Sequence, residues 1–401
     1  MSKVKLTDVC EITTGKLDSN AFDEKGLYPF FTCSPDPLRI NTYAFDGDVI
    51  LLAGNNASGN FHCNRYNGKF NAYQRTYVIT AKNGYDIDYI FYNLKINLAH
   101  LKKIAQGSQT KFLTMKILDN FMLEDIPLIE QKKLSSILRF IDSKISNNNR
   151  INAELESMAK TIYDYWFTQF DFPDENGKPY KSSGGKMVWN EELNRVIPEG
   201  WKVGRVKDCI VHINTGLNPR DNFKLGNGNI KYITVKNLTT NGAIDFSNCD
   251  IIDEEARKIV HNRSDVSKGD ILFASIAPLG RCCIVYENPM DWDINESVFS
   301  IRPQNNIPSE YLYLYFMSDA FVKKAEHSSA GSVFSGIRIS VLEEMNIVIP
   351  PDNVLENFEK NIAMMLLRKH KNSIENQQLV SLRDWLLPML MNGQVGFEGV
   401  K

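Results

Sequence analysis

The chain has 401 residues, of which 43% are hydrophobic and 23% charged, with a formal net charge of −2. That length gives two or three domains with full cores. The charge balance excludes the overall basic signature of a general nucleic-acid binder, leaving room only for a local patch or for a field supplied by a basic partner. In chain order, residues 1–128 read as a compact α+β domain. Tyr28–Cys33 and Gly47–Ala53 are strands, the second a buried apolar run after a turn. Gly54–Asn60 is a flexible polar loop, Phe70–Ile79 alternates as a strand, and Ile87–Ile104 is a helix candidate. Gly107–Lys111 is a polar loop, and Ile117–Ile126 is a strand-like run ended by Pro127. From Glu130 to about Phe167 nothing breaks a helix, and Leu134, Leu138, Ile141, Ile145, Leu155, Ala159, Ile162 and Trp166 recur in steps of three and four. That spacing predicts a helix packed along a seam against another helix.

Residues 169–200 form a linker broken by Pro173, Pro179 and Gly184-Gly185. Its Phe170, Phe172, Tyr180, Met187 and Trp189 are too apolar for a free tether, so it is expected to lie on a surface. The second domain, 201–350, repeats the first. Lys268–Ser275 matches Asp46–Ala53, Ser297–Arg302 matches Arg75–Thr80, and Ser309–Met317 matches Asp88–Leu94. Gly331-Ser332-Val333 opens a loop, Ile339–Ile349 is strand-like, and Leu355–Leu390 is a second long helix. Its apolar side is read as Phe358, Ile362, Met365, Leu366, Leu379, Leu382, Leu386 and Leu390. Gly331 follows Gly107 by 224 residues, and Leu342 follows Leu118 by the same 224. A period of half the chain is a duplication, not a solenoid. The loops differ where the cores agree: Ile276–Arg281 does not match the chemistry of Asn55–Asn60. That is the pattern of one scaffold carrying two surface specificities.

Catalytic signatures are missing from the sequence. The four Gly-Lys pairs are not followed by Ser or Thr as a phosphate-binding loop requires. The six histidines lack metal-ligand spacing, and there is no nucleophile elbow. Asp174, Glu175 and Lys178 faintly suggest a metal-dependent nuclease, but they lie in a Gly/Pro linker where a solvated turn is the simpler reading. The seven cysteines lack C-x-x-C spacing, which points to a reducing, cytoplasmic setting. No leader and no apolar run of about eighteen residues is present, so no membrane span is expected.

A duplicated domain–helix–domain–helix chain without a catalytic set resembles the DNA-specificity subunit of type I restriction–modification systems. The resemblance covers the whole chain and is carried by the two helices, by Phe170–Trp189 through Ile197–Trp201, by Gly269-Asp-Ile-Leu272, and by the Pro-ended run before each helix. It implies an α+β fold with two duplicated target-recognition domains separated by two long antiparallel coiled-coil-like helices in pseudo-twofold array. The implied division is 1–128 and 201–350 for the recognition domains, 129–168 and 351–392 for the spacer helices, 169–200 for the linker and 393–401 for a tail. It further implies that the chain reads a bipartite site on double-stranded DNA and docks two methyltransferase subunits. A motor–nuclease subunit joins for cleavage, and this chain is non-catalytic and without a cofactor of its own. A helix of 36–38 residues is roughly 55 Å long at about 1.5 Å per residue, more than one turn of B-DNA at about 34–36 Å. The alternatives are a structural adaptor, favoured by the near-neutral charge, and the nuclease above.

Base edges are read by Arg, Lys, Asn and Gln, and phosphates by cations and hydroxyls. The loops therefore nominate Lys16, Asn55, Asn56, Ser58, Arg65, Gln109 and Lys111 in the first domain. In the second they nominate Asn218, Arg220, Lys236, Asn237, Arg281, Ser332 and Arg338. Each is equally readable as a solvated loop side chain. Tyr73, Tyr77 and Tyr232 fit core packing better than base stacking. Asn148, Asn152, Asn372 and Asn376 interrupt the helical seam, where polar residues fix register at a cost in stability, unless they simply face water.

Overall fold

The computed structural model describes residues 2–329 and 336–392. The chain divides into two compact units, Met1–Ile145 with Leu379–Lys401, and Ser146–Gln378. Each unit holds one copy of the repeated α+β domain and a stretch of both long helices, so each is taken by itself.

In the first unit the strands β1 (Cys10–Thr14), β2 (Tyr28–Phe31), β3 (Leu38–Ile40), β4 (Phe45–Ala53), β5 (Cys63–Ala72) and β6 (Thr76–Ala81) form one sheet in the order β1-β6-β4-β5-β2-β3. All neighbours are antiparallel except β2 and β5, which pair in parallel through Phe30 and Asn71. The apolar run Val49–Ala53 is wholly buried, as a central strand flanked on both faces must be. The predicted helix over 87–104 is broken at Asn97 into Ile87–Ile96 and Leu98–Ile104.

In the second unit β7 (Ile210–Thr215), β8 (Ile230–Ile233), β9 (Asp250–Ile252), β10 (Ile271–Ala274), β11 (Cys282–Ile284), β12 (Trp292–Ile294) and β13 (Val298–Pro303) form two sheets, β7-β13-β10-β11 and β9-β8-β12. The long β5 of the first domain is here split into β11 and β12. The parallel pairing survives as β8 with β12, and the antiparallel edge as β8 with β9. A helix over Glu254–Ser264 occurs in this copy. The duplication therefore holds at the level of topology. It also holds bond by bond: Leu6 N donates to Phe121 O at 2.9 Å and Val206 N to Met345 O at 2.9 Å. Tyr89 Oη donates to Glu124 O, and Tyr311 Oη to Val348 O.

Two predicted strand runs are corrected. Ile117–Ile126 and Ile339–Ile349 each begin as a short helix, Met115–Asp119 and Ile339–Glu343, before the strands Met122–Glu124 and Asn346–Ile349. The Thr114 side chain caps the first of these helices by accepting from Ile117 N.

The long helices are α1 (Leu128–Tyr163), continued by a π-helical segment Asp164–Thr168, and α2 (Asp352–Met391). In the first unit Leu134 and Leu138 of α1 share a core with Leu387, Leu390 and Met391 of α2. Arg383 pairs with Asp142 at 2.9 Å. This charge pair occupies the seam where periodicity placed Leu382, which is instead 44% exposed. In the second unit Asn148, Asn152, Asn372 and Asn376 are all buried. Asn148 Nδ2 donates to Asn376 Oδ1 at 2.9 Å, and Asn372 Nδ2 to Asn152 Oδ1 at 2.9 Å. Asn372 and Asn376 are Asn148 and Asn152 advanced by 224. The first asparagine of each copy thus meets the second of the other, the signature of an isologous, antiparallel contact. Lys369, also buried, pairs with Glu156 at 2.9 Å.

The linker is more than a surface connector. Phe170 and Phe172 are buried with Trp201 in the core of the second unit. Asp171 accepts from Ser182 N and Oγ at 2.7 Å each. Asp174 Oδ1 accepts from Asn176 N and Lys178 N, so it serves a turn. Among the described residues no cluster of acidic, His or Cys side chains could hold a metal ion.

Candidate nucleic-acid interface

The loop residues nominated in the first domain are drawn together by backbone hydrogen bonds. Gly15 N donates to Thr76 O at 3.2 Å, Gly54 N to Arg75 O at 2.8 Å, and Leu113 N to Gly54 O at 2.8 Å. Asn55 and Asn56 pair as a two-residue strand with Phe112 and Lys111. Lys16, Asn55, Asn56, Ser58 and Lys111 therefore sit on connected loops. Gln109 is exposed in the adjoining turn. The close approach at Gly15 requires glycine, since a Cβ there would lie 2.0 Å from Ala72 O.

The loop expected to be flexible is pinned from within. Asn56 Oδ1 accepts from Ser58 N and Oγ at 3.0 Å and from Asn60 N at 3.1 Å. Asn56 shapes the loop, while Asn55 and Ser58 lie on it. Two cations join this surface that the sequence reading passed over. Arg75 is exposed beside Gly54, and Lys102 reaches Asn60 Oδ1 at 2.7 Å. Their only sequence signal was their charge. The side chains of Lys16, Arg75 and Lys111 have no hydrogen-bond or ion-pair partner among the described residues. Arg65 differs: its guanidinium pairs with Asp88 and Asp48 at 2.7 Å each and donates to Val49 O. Three protein oxygens neutralise and hold it, so it braces β4 against β5.

The second domain repeats the scaffold of this surface. Gly216 N donates to Asn295 O at 3.1 Å, Ser275 N to Ser297 O at 3.0 Å, and Ile337 N to Ser275 O at 2.8 Å. Ile276 bridges Gly336 where Asn55 pairs with Phe112. Arg220 and Arg338 are exposed, the latter at the start of a short helix. Asn218 is half-buried, and its carbonyl accepts from Asn222. Lys236 pairs at the surface with Asp250 at 3.2 Å. Ser332 lies outside the described residues.

Two of the nominated side chains in this domain are engaged within the protein. Asn237 is buried, with Oδ1 accepting from Thr234 N and Oγ1 and Nδ2 donating to Asp245 O. At 2% exposure it presents almost no surface. Arg281 donates to the carbonyls of Val235 at 2.8 Å and Pro278 at 3.2 Å, and burial lowers its pKa. It ties two loops together. Tyr77 and Tyr232 are core residues, as expected, each with its hydroxyl on a backbone carbonyl. The cysteines are free thiols, and burial pushes those of Cys10, Cys63, Cys209 and Cys283 up to about 12. At that pKa they are poor nucleophiles.

Comparison with known proteins agrees with this arrangement. The chain is 26% identical over 364 residues to the type I restriction enzyme EcoDI specificity subunit of Escherichia coli, covering 87% of this chain and 77% of that one. It is 26% identical over 323 residues to the MjaIX specificity subunit of Methanocaldococcus jannaschii, covering 80% and 72%. Its fold matches the crystal structure of a type I restriction–modification S subunit from M. genitalium, with a TM-score of 0.65 at 16% identity over 97% of this chain and 96% of that one. The model of the type I restriction modification DNA specificity domain matches residues 1–157 and 198–383. With both copies of the repeat so matched, the chain belongs to the type I restriction–modification DNA-specificity family.

Proposed function

We propose that this chain reads a split sequence on double-stranded DNA, one half with each domain, as the non-catalytic specificity subunit of a methyltransferase complex. The observation that carries the reading is the pairing of shared scaffold with unlike surface. The same backbone bonds join the loop ends in both domains, while the side chains they present are Asn55, Ser58 and Lys111 in one and Ile276, Arg220 and Arg338 in the other. Loops that vary on a rigid frame are where specificity resides. Lys16, Asn55, Ser58, Arg75, Gln109 and Lys111 are the candidate contacts of the first domain, and Asn218, Arg220, Lys236 and Arg338 those of the second. Asn56, Arg65, Asn237 and Arg281 position these loops and do not read bases.

The helices support the docking of two copies of one partner, which we assign to methyltransferase subunits. Phe140 is 72% exposed and its repeat mate Met364 is 70% exposed. Met158 is 50% exposed and its mate Leu382 is 44% exposed. Each unit therefore carries one member of each pair, and Ile129 and Trp385 are further exposed apolar residues of the same helices. Exposed apolar groups recurring at duplicated positions mark an interaction used twice. Motor–nuclease subunits would join the complex for cleavage. Mixing the chain with its methyltransferase partner and measuring mass in solution tests the assembly. Phe140→Ser with Leu382→Ser should leave the fold intact and reduce two bound copies to one. Retention of both copies would remove this surface from the account.

A further inference from the structure

We infer that Lys102 and Lys111 form a phosphate clamp on the first domain without a counterpart among the described residues of the second, so that the chain grips the backbone of one half-site more firmly. The inference rests on the DNA-reading function proposed above. Gly59 stands at φ +71, and a Cβ built there would lie 3.1 Å from Lys111 Cγ and 3.2 Å from Lys102 Cγ. Two lysine stems thus converge on one glycine from separate elements, the strand Lys111–Phe112 and the helix Leu98–Ile104. The ammonium of Lys102 is steadied by Asn60 Oδ1 at 2.7 Å. Among the described residues neither lysine meets a carboxylate, and Lys103 adds a third cation in the same helical turn.

Gathering like charges without an acid works against folding and favours an anion from outside. For a DNA reader that anion is a backbone phosphate, whose neutralisation also releases counterions. The loop around Gly59 presents amides and hydroxyls, not acids, to such a group. The second domain keeps the geometry and loses the chemistry. Gly280 is the matching left-handed glycine, at φ +88, and a Cβ there would lie 2.7 Å from Val322 Cγ2. The sequence position 224 residues after Lys111 is Ser335. Among the described residues the apolar Val322 lies against Gly280, and the sequence has Ser335 at the offset from Lys111.

The test is the salt dependence of binding by the full chain to a fluorescently labelled mixed-sequence duplex, read by anisotropy. Lys102→Ala and Lys111→Ala should each lower the slope of log affinity against log salt by about 0.9, the loss of one phosphate contact. Lys102→Arg should restore it. Lys324→Ala, on the corresponding helix of the second domain, should leave the slope unchanged. Thermal midpoints of all variants are expected to match that of the parent chain. A slope unaffected by Lys102→Ala, with the parent chain binding normally, overturns the clamp. An equal loss from Lys324→Ala overturns its one-sidedness. Absence of salt-dependent binding by the parent chain overturns the DNA-reading function itself, which separates the two failures.

Discussion

The asparagine seam gives the sharpest energetic test. In Asn372→Leu the donor to Asn152 Oδ1 is lost, while Asn152 stays buried between the helices. A buried acceptor without a partner costs about 1–3 kcal/mol, and a leucine of similar length offsets little of that. In the double variant Asn152→Leu with Asn372→Leu no orphan remains. Ser373 keeps its own bond to Lys369 O at 3.0 Å, so the second substitution strands nothing new. The double variant should therefore be about as stable as the parent, giving a coupling of about 2–6 kcal/mol between the two positions, the sum of the two single losses. Urea unfolding followed by circular dichroism reads this as a midpoint lowered by roughly 0.5–1 M in each single variant and recovered in the double. Additive losses, or single variants with unshifted midpoints, would refute the paired seam. The double variant should also lose fidelity of helix register, because polar seam positions exclude slipped pairings.

Other outcomes follow from local geometry. Gly216→Ala would drive a Cβ to 1.7 Å from Ile294 O, so it should cost more than about 3 kcal/mol and fail to fold at moderate temperature. Gly226→Ala meets open space at φ +92 and should cost only about 1 kcal/mol, read by the same melt. Burial holds His370 below its ordinary pKa, so the folded chain keeps it neutral when the unfolded chain takes up a proton. Stability should thus fall as pH drops through about 6.5, and His370→Gln should reduce the difference between midpoints at about pH 7 and about pH 5. An unchanged difference would remove His370 as a source of acid sensitivity.

Much of the fold was legible in the residues because duplication writes itself twice. The two uninterrupted helices and the shared apolar strands followed from pattern, whereas the four seam asparagines could equally have faced water until the fold placed them. Leu382 was misplaced because a period of apolar residues is blind to a charge pair. Arg383 and Asp142 fill the seam there, and no single-residue property announces that they meet. The runs beginning at Ile117 and Ile339 alternate well enough to look like strands, yet their first turns are helical, with Thr114 as a cap in the first. The linker aromatics were noticed, but that Phe170 and Phe172 join a core with Trp201 depends on contacts far along the chain. For the candidate interface the sequence nominates loop side chains, and only the fold shows which of them the protein already engages. Asn56, Asn237, Arg65 and Arg281 have the side chains of base readers and are held by carbonyls, amides and carboxylates of the protein itself. Lys102 escaped notice because it lies on a helix, and only the fold brings it over the Gly59 loop.

The central claim is that two unlike surfaces on one repeated scaffold address two halves of a single DNA site. Sequencing of methylated adenines in the host genome tests it most directly, compared between the parent gene and one carrying Asn55→Ala with Lys111→Ala. The account predicts a split motif with dissimilar halves, of which the variant relaxes one and leaves the other intact. An uninterrupted motif, or a variant that blurs both halves equally, would contradict it.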